Sequence, residues 1–282
     1  MRLLVTGAGG MLGQDVVRAA RGHEVVALAR RDLDVTDAAA VEAAIGDTAP
    51  HAVVNCAAWT DVDGAESDPQ GAHAVNAAGP NHLARTCAAG GARLVHVSTD
   101  YVFDGERTPD SEPYVESDQT GPRSAYGASK LAGEQAVAAA GGSHAIVRSS
   151  WLFGDGGSNF VTTMLQLGAE RSEVTVVDDQ IGCPTATVQL ARALVDLAGS
   201  PAQGIFHVAG GGRCSWYQLA VEVFRIAQRD CRVVPCTTAD MPRPARRPAF
   251  SVLATERQGT PVLGPWQEGL AAYVSAMRPV GA

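Results

Sequence analysis

The sequence contains no apolar run near the roughly 20 residues that a membrane-crossing helix needs, so no membrane span is expected. Its first residues, Met1-Arg2-Leu3-Leu4-Val5, go straight into a strand-like pattern with no cleavable signal, which makes a cytoplasmic protein the expectation. Basic residues are outnumbered 22 to 30, and the resulting net charge of -8 argues against nucleic acid as the main partner. The six cysteines, Cys56, Cys87, Cys183, Cys214, Cys231 and Cys236, form no C-x-x-C pair. They read as reduced structural thiols rather than a metal or disulfide framework. Neither a solenoid-period repeat nor a low-complexity linker breaks the chain. With 46% hydrophobic and 18% charged residues over 282 positions, it should be globular, as one large domain or one with an appended lobe.

What is present begins at the N-terminus. The apolar run Arg2 to Thr6 ends in Gly7-Ala8-Gly9-Gly10-Met11-Leu12-Gly13, and helical composition follows from Met11 to Arg21. Strand, glycine turn and helix make a dinucleotide site: Gly7, Gly10 and Gly13 permit the tight turn, the close approach of a pyrophosphate and helix packing, while the helix start supplies N–H donors. The second strand, Glu24 to Ala29, runs into Arg30-Arg31. An arginine there accommodates a 2'-phosphate, so NADPH is favoured, with NADH possible. Asp34 and Val35 are placed to meet the adenine. The third strand leaves through the small residues Ala57 and Ala58, which suit close cofactor approach, into a polar loop that begins Trp59-Thr60-Asp61.

The centre of the chain is Tyr126-Gly127-Ala128-Ser129-Lys130. On a helix this spacing puts phenol and ammonium on one face, where the cation is expected to favour the ionised phenol for proton exchange with a substrate oxygen. Ser124 is placed to cap that helix. Before it come a fourth strand, Ala92 to Ser98, ending in Ser98-Thr99-Asp100, and a long polar loop, Glu106 to Arg123, that should line a site. Asn76 falls inside a predicted helix from Pro69 to Ala89, as a supporting residue or a plain surface one. A fifth strand spans His144 to Arg148. Five such alternations predict an α/β fold, a Rossmann-type doubly wound parallel sheet. Residues 1–154 would bind the dinucleotide, and 155–282 would mainly form a smaller, interleaved substrate lobe that crosses back into the first. The loop Met241 to Pro248 carries Arg243, Arg246 and Arg247.

The glycine pattern, Ser98-Thr99-Asp100 and Tyr126-x-x-x-Lys130, in that order, resemble an extended short-chain dehydrogenase/reductase. Four phrases narrow the resemblance: Ala58 to Glu66, Ser98 to Gly105, Tyr126 to Glu134, and Asp179-Gln180-Ile181-Gly182-Cys183-Pro184-Thr185. Together they look like the dTDP-4-dehydrorhamnose reductase family. That resemblance implies reduction of the 4-keto group of a dTDP-6-deoxyhexulose by NAD(P)H. Thr99, Tyr126 and Lys130 would be catalytic. Met11, Leu12, Gly13, Asp34, Val35, Ala58, Trp59 and Thr60 would touch the cofactor, and Thr99, Asp100 and Trp151 would face the sugar, with Trp151 against its ring. Asn159 and Arg247 are candidates for the nucleotide end.

Some members hold magnesium between subunits with several glutamates. Only Asp15 is acidic among the positions that can be placed here, so no metal is expected, and a monomer or a homodimer remains open. A deoxysugar 4-ketoreductase of different stereochemistry would share every motif. The non-enzymatic regulatory subunit of methionine adenosyltransferase resembles the same fold, but the intact Thr99, Tyr126 and Lys130 favour catalysis.

Overall fold

Strand β1 (Arg2–Thr6) shows how the chain sorts its apolar residues. Leu3, Leu4 and Val5 are all fully buried, yet Leu3 and Val5 enter one hydrophobic cluster and Leu4 another, because alternate strand residues point to opposite faces. The same split recurs along β3 (Ala52–Asn55), β4 (Arg93–Thr99) and β5 (His144–Ser149). Strands covered on both faces read as continuous apolar runs, as these do. Each fully buried Leu or Val contributes about 1.5–3 kcal/mol.

A computed structural model describes residues 1–277. The end of the expected substrate lobe, residues 278–282, lies outside the described residues. β1 is flanked by β2 (Glu24–Leu28) and β3, and a later strand, β10 (Gly204–His207), closes the far edge beside β5. The order β10-β5-β4-β3-β1-β2 is parallel throughout. One face is covered by α1 (Met11–Ala19) and α8 (Thr187–Ala198), the other by α2 (Ala38–Thr48), α5 (Gly79–Gly90) and α6 (Ala125–Ala139). The chain is therefore an α/β doubly wound sheet. Its direction of growth reverses between β1 and β3, which opens the ligand crevice at their carboxyl ends.

The predicted helix over 69–89 is interrupted. It consists of α4 (Pro69–His73), a π-helical turn Ala74–Ala78, and α5. Pro80 has no N–H to give the Asn76 carbonyl four residues back, so the ladder widens there and turns Asn76 inward. The polar loop after β3 also contains a short helix, α3 (Val62–Ser67).

Beyond β6 (Leu152–Phe153), a third cluster forms around helix α7 (Phe160–Glu170), strand β7 (Glu173–Val177), helix α9 (Trp216–Ala227) and strand β12 (Arg232–Cys236), with β7 and β12 paired in parallel. Short strands β8 (Ile181–Gly182) and β11 (Cys214–Ser215) pair antiparallel, and β9 (Thr185–Ala186) pairs with β6. Helix α10 (Trp266–Ala276), absent from the sequence-based reading, completes this cluster with Leu270 and Val274. A fourth group, Phe103, Tyr114, Phe250 and Leu253 among them, seals the long loop 106–123 against the chain returning at 250–253. No helix among the described residues is long and apolar enough to cross a membrane.

Candidate active site

The glycine turn sits where β1 meets α1. Gly7 has φ +66, and a Cβ there would lie 2.6 Å from the Ala57 nitrogen, so the turn and the exit of β3 touch through backbone alone. A Cβ at Gly13 would run into the Gly7 carbonyl. Gly10 caps α1 without a side-chain hydrogen bond, and the first turn holds no acidic residue. That leaves first-turn N–H donors for an external anion, a fit for a dinucleotide pyrophosphate. Leu12 is buried against the sheet and Met11 is half-buried. At the end of β2, Arg30 and Asp34 are exposed, and the Asp34 carboxylate accepts from the Thr36 N–H (3.0 Å) and hydroxyl (2.8 Å). Val35 is buried beneath Gly79.

Ala57, Ala58 and Trp59 are half-buried, whereas Thr60 is exposed. Trp59 is fixed by Asn76, whose side-chain amide accepts from the Trp59 N–H (2.9 Å) and donates to its carbonyl (3.0 Å). The same amide donates to Ser129 Oγ (3.0 Å), which donates to the Tyr126 carbonyl (2.7 Å). One fully buried asparagine thus joins the cofactor loop to the helix carrying the tyrosine.

Helix α6 begins at Ser124, whose hydroxyl accepts from the Gly127 N–H (3.1 Å), a cap worth about 1 kcal/mol. A side chain at Gly127 would collide with the Tyr101 carbonyl, so glycine lets α6 approach the end of β4 closely. There Thr99 donates to Asp100 Oδ1 (2.9 Å) and accepts from the Tyr101 N–H (3.2 Å). The Tyr101 and Tyr126 rings meet edge to face, with centroids 5.5 Å apart.

The electrostatics differ from the sequence-based expectation. Burial pushes the Tyr126 phenol up to about 12; the Thr99 hydroxyl pulls the other way and the Asp100 charge raises it further. Lys130 does not acidify it, because the ammonium is turned to the Val97 carbonyl, to which it donates at 2.7 Å. Burial lowers Lys130 to about 8, against the opposing charge of Glu134. The Asp100 carboxyl is raised to about 6 by burial, with the Ser251 and Thr99 hydroxyls pulling it back; although Ser251 approaches the carboxylate, its Oδ2 makes no well-aligned hydrogen bond among the described residues.

Two expectations for the sugar-nucleotide side are corrected. Trp151 cannot stack on a sugar, since both ring faces are taken. Trp216 lies parallel at 3.5 Å, and a Cβ on Gly182 would run into Cε2 from above the ring, with Nε1 and Cζ2 next. Only the edge of the indole remains. Asn159 is a helix cap: its carbonyl accepts from the Thr162 N–H (3.1 Å), and its amide donates to the Gly154 carbonyl (3.0 Å) and the Tyr273 hydroxyl (3.1 Å). Both amide hydrogens are used, so no donor is left for a nucleotide phosphate. Arg247 differs from both. It donates to Asp63 (2.9 Å) through Nη2, while its Nη1 is buried without a partner among the described residues.

The sequence-based reading left out Glu134, Arg148, Asp63 and Trp216. Charged residues in an apolar strand or on the buried face of a helix are the signal that marks Arg148 and Glu134. Asp15, the one acidic residue weighed for a metal, is buried and engaged by Arg18 (2.6 Å) and Thr187 (2.5 Å).

A family model described as the RmlD substrate binding domain matches residues 1–278. The dTDP-4-dehydrorhamnose reductase of Streptomyces griseus is 48% identical over 98% of this chain and 92% of its own length. The chain belongs to the dTDP-4-dehydrorhamnose reductase family. Another relative, the probable dTDP-4,6-dihydroxy-2-methyloxan-3-one 4-ketoreductase of Streptomyces antibioticus, is 45% identical over 96% of this chain and 93% of its own. Two solved family structures superpose over 98% of this chain and 99% of theirs: the Clostridium acetobutylicum protein with a TM-score of 0.95 at 43% identity, and the Bacillus anthracis protein in complex with NADP with 0.94 at 36%.

Proposed function

We propose that the protein reduces the 4-keto group of a dTDP-4-keto-6-deoxyhexose, taking dTDP-4-dehydrorhamnose to dTDP-L-rhamnose or a close relative, with NADPH preferred and NADH possible. The observation that carries this reading is the convergence on the end of β4, where the Thr99 hydroxyl bonds the Tyr126 phenol and the Val97 carbonyl takes Lys130. Gly7, Gly10, Met11, Leu12 and Gly13 would hold the pyrophosphate, Arg30, Asp34 and Val35 the adenosine end, and Ala57 to Thr60 the path to the nicotinamide. NADPH, when bound, supplies the hydride.

The chain's own part is proton delivery and positioning. Reduction needs the tyrosine protonated at the start, and a phenol raised to about 12 is neutral at physiological pH. As the ketone carbon becomes CH–OH, the Tyr126 proton passes to its oxygen. Thr99 orients that oxygen and, through the hydroxyl that favours the ionised phenol, stabilises the tyrosinate left behind, while Lys130 would hold the nicotinamide ribose. Asp100 would take a sugar hydroxyl on its unpartnered Oδ2. The orphan Nη1 of Arg247 would take an oxygen of the diphosphate, a contact that a chain of net charge -8 needs locally. We further propose that residues 1–154 serve the dinucleotide and 155–282 mainly the substrate, in a cytoplasmic monomer or homodimer.

A second reading rests on the Streptomyces antibioticus relative, named as a ketoreductase of a different dTDP-sugar. Incubation with NADPH and the dTDP-4-keto sugar made by a dehydratase and an epimerase, followed by NMR of the product, separates the two. Flat nicotinamide absorbance across several such sugars would remove both.

A further inference from the structure

Helical spacing puts Glu134 one turn beyond Lys130 on the same buried face of α6; the two side chains are 3% and 2% exposed. The Glu134 carboxylate is fully engaged. Oε1 accepts from Ser98 Oγ (2.6 Å) and Arg148 Nε (2.9 Å), and Oε2 accepts from Arg148 Nη2 (2.7 Å). Ser98 and Arg148 are themselves cross-strand partners on β4 and β5. Three consecutive residues of β4 therefore serve the site: the Val97 carbonyl takes Lys130, Ser98 takes Glu134, and Thr99 stands beside Tyr126.

We infer that Glu134, clamped by Arg148 and Ser98 one helical turn from Lys130, is the buried countercharge that keeps Lys130 cationic at the active site. This rests on the reading of Lys130 as a catalytic group. The charges around Lys130 leave few alternatives. Cys56, just past the end of β3, is held as a thiol by burial, which pushes it up to about 12. His96 on β4 is held neutral by burial and by the lysine charge, which lower it well below its ordinary value. Tyr126 is a neutral phenol, so among these groups Glu134 alone is an anion. Arg148 occupies the far side of the carboxylate, against the Phe103 ring at 5.1 Å and His207 at 3.4 Å. Removing only the carboxylate charge would leave Lys130 beside an uncompensated buried guanidinium.

The sequence supplies its own probe: Lys130 is its one lysine. Full-length protein grown with lysine carrying carbon-13 at Cε gives a single side-chain resonance, assigned without further work. In the wild type it should titrate near pH 8. In Glu134→Gln the midpoint should fall by about one pH unit or more, and the basic limb of the kcat/KM profile should move with it. The double variant Glu134→Gln with Arg148→Met also removes the uncompensated guanidinium, so that Lys130 loses its countercharge without gaining a repulsive neighbour. Its midpoint should lie between those of the wild type and the single variant, and it carries the test if the single variant does not fold. A wild-type midpoint in whichever variant is folded would overturn the inference. The titration needs no substrate. A shifted midpoint in a protein that reduces no keto sugar would sink the proposed reaction and leave this inference standing.

Discussion

The indoles of Trp151 and Trp216 lie flat on one another, with centroids 3.5 Å apart and planes 5° apart. Trp151 does so from a left-handed backbone, φ +49, which is costly for a bulky residue and persists only when its surroundings hold it. Trp216, from α9, supplies that hold. Trp216→Ala should cost about 1–3 kcal/mol in urea denaturation, less than the roughly 3–5 kcal/mol of a fully buried aromatic because Trp216 is half-buried. An unchanged urea midpoint would remove the hold assigned to Trp216.

Asp100 makes stability depend on pH. Its folded pKa is raised from 3.8 to about 6, so its favourable contribution is complete below pH 3.8 and is lost as pH rises through about 6. Asp100→Asn should therefore stabilise the protein at pH 7.5 by about 1–3 kcal/mol. Near pH 4 the gain should shrink towards zero. Urea midpoints of both proteins at the two pH values test this, and a pH-independent difference would contradict it.

Arg247→Ala removes the donor with the orphan Nη1. KM for the dTDP-sugar should rise roughly tenfold or more, with a smaller change in kcat, as expected when a contact holds substrate and transition state alike. An unchanged KM would take Arg247 out of the substrate site.

Arg30 is exposed at the end of β2 beside Asp34, whose pKa is lowered by the Thr36 backbone and hydroxyl hydrogen bonds and, to a smaller extent, by the Arg30 charge. If it receives a 2'-phosphate, Arg30→Ala should raise KM for NADPH several-fold and leave that for NADH within a factor of about two. Parallel changes for both cofactors would assign the preference elsewhere.

The sheet and the glycine turn were legible because their signals are local: apolar runs, glycines at fixed offsets, a tyrosine four residues before a lysine. The residues misread are those whose role depends on distant partners. Trp151 looked like a sugar platform until Trp216 and Gly182, remote in sequence, were found to occupy its faces. Asn159 looked like a ligand group until its amide was found capping α7. The Tyr126 phenol was expected to be acidified by Lys130, but the lysine's partner is a carbonyl on β4, which no helical spacing reveals. Asn76 became readable only once Pro80 was seen to widen the helix and turn the amide inward.

The central claim, that Tyr126 delivers a proton while hydride arrives at the ketone carbon, is tested most directly by isotope transfer. Wild type and Tyr126→Phe are each given NADPH deuterated on the transferring face and a dTDP-4-keto-6-deoxyhexose, and the sugar is read by NMR. Deuterium at carbon 4 with the wild type, and a rate lower by a factor of about 100 or more with Tyr126→Phe, is the predicted result. A sugar free of deuterium, or full transfer by the phenylalanine variant, would contradict it.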